Sequence, residues 1–149
     1  MKPIFLAAAA CLILSGPAFA MSETECASLW KIADLNSDGK LTGTEGDRYL
    51  AMMRIANQTT GADGSLTETV FQESCKTDFF KIADAEIGAP FAGANSFTET
   101  QAKDRVVAHG IMMPASLVLD DKGIWRGSAM QDGKSVSVAV DYKGNVVAQ

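Results

Sequence analysis

The feature that most constrains the fold is a run of turn-forming residues, DLNSDGKLTGTE at positions 34–45, which lies between two amphipathic segments. Before the run, apolar residues from Cys26 to Ala33 recur at the spacing of one helix face. After it, apolar residues return from Tyr49 to Ile55, and Thr42 with Glu45 forms a candidate capping pair. Because Asp, Asn, Ser and Gly favour turns, the pattern predicts a helix, a tight loop and a second helix.

This loop resembles the calcium-binding loop of the EF-hand family, and the resemblance extends from residue 26 to residue 83, most strongly up to residue 45. It implies one Ca²⁺ ion, and the implied ligands are Asp34, Asn36, Asp38, the backbone carbonyl of Lys40, Thr42 and Glu45. In this interpretation the side chain of Lys40 has no role. The alternative is a solvated polar turn that holds no metal.

The chemistry of a hard cation explains the spacing. Ca²⁺ takes six to eight oxygen ligands, and alternate residues of a tight turn can direct their oxygens inward. Gly39 permits the positive φ that reverses the chain, and Glu45 could bind with both carboxylate oxygens. The family usually has a large apolar residue after that glutamate, and Gly46 stands there in this chain. We therefore expect a looser start to the second helix and weaker binding.

A second copy of the loop follows, since DGSLTETV at residues 63–70 repeats the pattern of DGKLTGTE at residues 38–45. Val70 occupies the position of Glu45, so no bidentate carboxylate is in register. Two interpretations remain open. The copy is either a degenerate partner whose Leu66 pairs with Leu41, or a longer loop from Asn57 that binds a cation through Asp63, Glu68 and carbonyls.

The N-terminus has the features of a signal peptide. Lys2 precedes an apolar run that is too short to cross a bilayer, and Ala18-Phe19-Ala20 forms a small-residue cleavage site. Cleavage after Ala20 is favoured over lipidation at Cys11, and it removes that cysteine. The two that remain, Cys26 and Cys75, predict a disulfide in an oxidising compartment. A redox or metal-binding pair would need closer spacing or a neighbouring His.

The C-terminal third differs in composition and period. Residues 87–97 contain Gly and Pro and predict a linker or a long ordered loop, and Thr98 with Gln101 opens a predicted helix that reaches His109. Alternating apolar segments then follow, separated by Asp-Gly and Lys-Gly turns, and they predict an antiparallel meander. In KSVSVAVDY the valines share one face, while Ser135, Ser137 and Ala139 share the other.

The same third of the chain resembles the PepSY-type small α/β modules of exported bacterial proteins. The resemblance rests on a helix that ends in AHG and on DDKGIWRGSAMQDGKSVSVAVDYKGNVV, although IMMPASLVL departs from the usual passage between them. It implies a module that binds or inhibits a partner in the cell envelope, without naming that partner.

The sequence therefore predicts an α+β protein in four parts: a signal peptide at 1–20, an EF-hand-like helical domain at 21–86, a linker at 87–97 and a PepSY-like module at 98–149. The formal charge of −5 and the lack of a basic run argue against nucleic acid as a partner. No nucleophile–base pair is visible, so we do not expect an enzyme.

The favoured function is that of an exported calcium-binding protein, periplasmic or secreted and not inserted in a membrane after cleavage. Its calcium would be structural or would modulate contact with an envelope protein. The alternative is an envelope interaction or inhibitor module that acts through the C-terminal sheet and carries a vestigial hand.

Overall fold

The computed structural model describes residues 20–81 and 88–149. The predicted signal peptide, apart from Ala20, lies outside the described residues, as does Ile82, which the apolar pattern assigned to the third helix. Within the described residues the fold is α+β, as predicted, with helices in the N-terminal part and most of the strands in the C-terminal part.

Four helices and six strands form in the described residues. The helices are α1 (Glu23–Ala33), α2 (Gly43–Ile55), α3 (Glu68–Lys76) and α4 (Glu99–Ala108). The strands are β1 (Lys40–Leu41), β2 (Leu66–Thr67), β3 (Val118–Leu119), β4 (Trp125–Gln131), β5 (Lys134–Val140) and β6 (Val146–Ala148).

Local capping signals explain where two of the helices begin. Ser22 and Glu25 form a complete capping box at α1, and Thr98 with Gln101 forms another at α4. The predicted pair at α2 is wrong, because Thr42 is the N-cap residue but its side chain makes no capping hydrogen bond. Glu45 is directed toward the preceding loop instead.

The third helix is shorter than its apolar pattern predicts. It ends at Lys76, and Asp78 adopts a left-handed φ of 58° just beyond it. The Asp78 carboxylate accepts the Met21 N–H at 3.0 Å and pairs with Lys81 at 2.9 Å. Phe79 and Phe80 still pack on the helical core, although they lie in a turn, which explains why the apolar period continues past the helix.

The helical part has its own core, which contains the predicted disulfide. Cys26 on α1 and Cys75 on α3 are bonded to each other and fully buried. The ring of Phe71, also fully buried, has its centroid 5.3 Å from that of Trp30 and 5.0 Å from that of Tyr49. The bridge therefore joins the helix before the first loop to the helix after the second.

The C-terminal strands form the predicted meander, with the order β3-β4-β5-β6 and antiparallel pairing throughout. Val138 and Val140 pack against Val106 of α4 in a second core. On the other face Ser135 and Ser137 are exposed, but Ala139 is buried with Ile124 and Val147. That burial was not evident from the alternating pattern.

Part of the segment 88–97 lies along the same sheet. Gly93 N–H donates to the carbonyl of Lys122 at 2.9 Å, and Phe91 N–H donates to the Asp141 carboxylate at 3.2 Å. The Trp125 indole donates to the carbonyl of Phe97 at 3.1 Å. These contacts describe an ordered loop, the second of the two forms expected for this segment.

The helical and strand-rich parts meet where α2 packs against α4. Ala108 belongs to the core of the helical part, and Arg48 Nε donates to its carbonyl at 3.3 Å. Arg54 forms an ion pair with Asp104 at 2.6 Å. In the part of the chain that the structure describes, no helix is both long and apolar enough to cross a membrane.

Candidate metal centre

Three carboxylates converge at the loop between α1 and α2. Asp34 is the C-cap residue of α1, Asp38 lies within the loop, and Glu45 lies in the first turn of α2. One carboxylate oxygen from each residue lies within 4.8 Å of the corresponding oxygens of the other two. The loop therefore brings together acidic groups that are separated by up to 11 positions in the sequence.

Backbone amides fix the first of these carboxylates. Asp34 is buried, and its Oδ1 accepts the Asp38 N–H at 3.2 Å while its Oδ2 accepts the Gly39 N–H at 3.0 Å. Gly39 has a φ of 80°, which a residue without Cβ adopts at little cost. The turn geometry thus holds the Asp34 side chain inside the loop, as the sequence pattern predicts.

Glu45 reaches back across the same loop. Its Oε2 accepts the Leu35 N–H at 3.2 Å, and its Oε1 accepts from Asn36 Nδ2, also at 3.2 Å. A capping-box glutamate would bond to its own N-cap backbone, and this bond is absent at Thr42. The first turn of α2 is therefore tied to the loop through Glu45.

The remaining predicted ligands are placed less uniformly. Asn36 joins the cluster through its amide nitrogen, which also donates to Asp38 Oδ2 at 3.1 Å, while its Oδ1 accepts the Asp38 N–H at 2.9 Å. Lys40 donates its N–H to Asp38 Oδ1 at 2.9 Å. Thr42 is exposed at the helix N-cap. The polar contacts bring the three carboxylates and Asn36 together. Ligation by the Lys40 carbonyl and the Thr42 hydroxyl stays a prediction.

The donor set fits a hard cation. Oxygens that surround one Ca²⁺ ion at about 2.3–2.6 Å are separated by up to roughly 5 Å, so three oxygens within 4.8 Å of one another can share it. The set that could hold a metal ion is Asp34, Asp38 and Glu45, and it contains no soft sulfur or imidazole ligand. The acidic group could therefore hold a metal ion.

The second loop is organised differently around its own acidic residue. Asp63 Oδ2 accepts from Lys40 Nζ at 2.7 Å, and its Oδ1 accepts from the Ser65 hydroxyl at 2.6 Å and from the Ser65 N–H at 3.1 Å. The hydrogen bond from the Lys40 ammonium, and to a smaller extent those from Ser65, hold the pKa of Asp63 well below its ordinary value. The Lys40 side chain, which has no role as a metal ligand in the EF-hand interpretation, thus contacts the second loop.

The two loops pair as one of the two interpretations predicts. Leu41 of β1 stands opposite Leu66 of β2, and Lys40 stands opposite Thr67. Both leucines are fully buried. A partner loop that contributes a short strand is thus confirmed, and Asp63 is engaged by a cation from the chain itself. The Lys40–Asp63 contact spans 23 positions, so no local sequence signal could reveal it.

Gly46 has a packing role that the loop pattern does not show. A Cβ at this position would lie 2.8 Å from the carbonyl carbon and 3.0 Å from the carbonyl oxygen of Leu41, and 3.1 Å from Leu50 Cδ1. The helix α2 runs without a break through Gly46, which is buried, and the weaker binding expected from this glycine stays a prediction. The glycine instead lets α2 approach the backbone of β1.

Comparisons of the chain with protein-family models, with curated proteins and with solved structures found no match.

Proposed function

We propose that this chain is an exported calcium-binding protein with one functional EF-hand-like loop at residues 34–45 and a degenerate partner at residues 59–70. The observation that carries the proposal is the convergence of the Asp34, Asp38 and Glu45 oxygens within 4.8 Å. Supporting it, the cluster lies between two helices, and a short β-bridge pairs it with a second loop of related sequence.

Electrostatics explain why a divalent cation suits this arrangement. Three like charges at such short separations repel one another, and the repulsion is stronger where one member, Asp34, is buried. A cation between them replaces repulsion by attraction. We propose Ca²⁺ rather than Mg²⁺ because Ca²⁺ accepts carboxylates in irregular geometry, whereas Mg²⁺ demands a near-ideal octahedron and retains its waters.

The proposed role of the ion is structural. Asp34 is the C-cap residue of α1 and Glu45 lies in the first turn of α2, so an ion bound by both would fix the angle between these helices. In calcium sensors the helices of two paired calcium-binding loops open together. Here the second loop has Val70 in place of the closing glutamate, so only one loop has the full set of acidic ligands. A single site of this kind stabilises the fold or modulates contact with an envelope protein.

Export is part of the same proposal. The disulfide between Cys26 and Cys75 is consistent with an oxidising compartment outside the cytoplasm. The PepSY-like module at residues 98–149 would then be the part of the protein that contacts an envelope partner. The alternative function, in which the C-terminal sheet binds or inhibits a partner and the hand is vestigial, remains a prediction.

The test is calorimetric titration of the chain from Met21 onward with Ca²⁺ and, separately, with Mg²⁺, followed by thermal unfolding with and without each ion. We expect one Ca²⁺ per chain and a rise of the melting temperature, because a ligand that binds only the native state stabilises it. Mg²⁺ should bind more weakly. In Glu45→Gln the calcium-dependent rise should disappear, because the variant loses one carboxylate of the three.

The matched control is Glu73→Gln, which removes an acidic group of the same kind from an exposed position on α3. It should keep both the stoichiometry and the rise in melting temperature. A wild-type protein whose melting temperature is the same with and without Ca²⁺ would exclude the proposal and leave the vestigial hand as the better explanation. A stoichiometry of two would show that the second loop also binds.

A further inference from the structure

A polar cleft of about 220 Å³ lies where the end of α2 meets the start of α4. The side chains that matter for its chemistry are Arg54, Asn57, Phe97, Gln101, Asp104 and Arg105. The cleft is separate from the acidic cluster, because α2 carries Glu45 in its first turn and Arg54 in its last. Its walls come from both halves of the molecule.

One arginine of the cleft is already partly neutralised. Arg54 directs Nε and Nη2 at a single oxygen of Asp104, at 3.0 and 2.6 Å. The Asp104 side chain is only 13% exposed, whereas that of Arg54 is 51% exposed. This ion pair joins α2 to α4, and it leaves Arg54 Nη1 available to a further acceptor.

The second arginine lacks such a partner. Arg105 Nη1 donates to the backbone carbonyl of Gln101 at 3.0 Å, and the guanidinium lies 3.8 Å above the ring of Phe97. In residues 20–81 and 88–149 no carboxylate lies within ion-pair distance of it, and burial lowers the pKa of the group while Asp104 opposes that effect. A guanidinium has five N–H donors, so several of them remain for a ligand.

The charge of the cleft contrasts with that of the chain. Two arginines and one aspartate leave the lining with one excess positive charge, while the whole sequence carries −5. Guanidinium groups recognise carboxylate and phosphate oxygens through paired hydrogen bonds. We propose that this cleft binds a small oxyanion, a carboxylate or phosphate group, between Arg105 and Arg54.

The volume limits the size of the ligand. At roughly 30 Å³ per water the cleft holds about seven water molecules, which is enough for a phosphate group or a short organic acid. Gln101 adds a side-chain amide at the same wall, because its Oε1 accepts the Thr98 N–H and leaves its nitrogen as a donor. Donors therefore predominate, with Asp104 as the opposing charge.

The experiment titrates the chain from Met21 onward with inorganic phosphate and, separately, with acetate. The buffer is cationic, low in salt, and free of calcium and of carboxylate chelators, so that the result does not depend on the proposed calcium function. Binding is followed by NMR through the Nε–H signals of the arginines. We expect saturable shifts for Arg105 and Arg54, and the stronger of the two probes identifies the preferred oxyanion chemistry.

Three variants make the test specific. Arg105→Gln should weaken binding about tenfold or more, because it removes the unpaired guanidinium. Asp104→Asn should tighten binding about fivefold, because it removes the competing negative charge and releases Arg54. Arg126→Gln, which removes an exposed arginine paired with Asp120 outside the cleft, should bind within about twofold of wild type.

The affinity for the oxyanion should fall in Arg105→Gln and rise in Asp104→Asn. These opposite changes distinguish a binding role from a structural one, since a variant that only loosens the fold would not gain affinity. Thermal unfolding confirms that each variant is folded. If Arg105→Gln does not fold, Arg105→Lys takes its place, and it should bind more weakly because the ammonium lacks the planar fork. Absence of saturable binding in the wild type up to about 50 mM, or an Asp104→Asn variant that binds no more tightly, would overturn the proposal.

Discussion

The first loop, residues 34–45, and the second, residues 59–70, share a sequence pattern and a β-bridge, but they differ in what surrounds their acidic groups. The first assembles three carboxylates around a position that a divalent cation could occupy. In the second, Asp63 receives the ammonium of Lys40, a residue of the first loop, at 2.7 Å. The first loop could hold an external cation, whereas the acidic residue of the second is paired with a lysine of the same chain.

A second difference lies one position after the closing residue of each loop. The first loop has Gly46 there, and the second has Phe71, which is fully buried against Trp30 and Tyr49. The helices that follow the two loops are therefore not equivalent. Phe71 on α3 occupies the shared core, whereas Gly46 allows α2 to pack closely on β1. The pair is asymmetric in packing as well as in charge.

The largest expected effect on stability comes from removing the disulfide that joins the helices on either side of the two loops. The disulfide joins α1, which precedes the first loop, to α3, which follows the second, over a sequence separation of 49. In the chain-entropy model a closed loop of that length contributes about 4 kcal/mol. The double variant Cys26→Ala/Cys75→Ala should lose about that much free energy of unfolding, as measured by urea denaturation in calcium-free buffer.

Reduced wild-type protein is the control for this double variant, because it keeps both sulfur atoms and loses only the bond. It should unfold at a lower urea concentration than the oxidised protein, by an amount close to that of the variant. Equal midpoints for the oxidised and reduced forms would mean that core packing alone holds α1 and α3 together.

The next effect concerns the asymmetry in packing. Gly46→Ala would gain up to about 1 kcal/mol of helix propensity, but its Cβ would approach the Leu41 backbone to 2.8 Å. Backbone atoms cannot move aside as a flexible side chain can, so we expect a net loss of about 1–3 kcal/mol. Urea unfolding measures this loss, and the slope of the unfolding free energy against urea concentration should be unchanged because the variant exposes the same surface on unfolding.

Thr69→Ala is the matched control, since it places alanine at an exposed position on α3. It should keep or slightly raise the stability, as helix propensity alone predicts. If Gly46→Ala were as stable as Thr69→Ala, the close approach of α2 to β1 would carry no energetic weight.

The parts of the fold that the sequence predicts correctly depend on neighbours in the chain. The capping boxes at Ser22 and Thr98 connect residues three positions apart, and the alternating valines of β5 establish the meander. The loop carboxylates also follow from local spacing, because Asp34 is held by amides four and five positions later. In each case one turn or one strand contains the whole signal.

The parts that the sequence does not predict depend on distant contacts. Ala139 shares a face of β5 with the exposed Ser135 and Ser137, yet it is buried with Ile124 and Val147. The end of α3 depends on Asp78, whose carboxylate accepts the N–H of Met21 57 positions away. The orientation of the Asn36 amide depends on Glu45, and the cleft at Arg105 depends on how α2 meets α4.

The smallest effect tests the internal cation of the second loop. Lys40→Met should lower the stability of the calcium-free protein slightly at low ionic strength, because Asp63 loses its ammonium partner. Both side chains are about half exposed, so salt should screen the pair, and at about 1 M NaCl the stability difference from wild type should shrink toward zero.

Lys122→Met is the control, since its exposed ammonium pairs with none of the described carboxylates, and its stability difference should not vary with salt. Urea unfolding at both salt concentrations measures these differences. A Lys40→Met difference that persists at high salt would assign the contribution of Lys40 to the packing of its alkyl chain against the second loop. The Lys40–Asp63 ion pair would then no longer distinguish the two loops energetically.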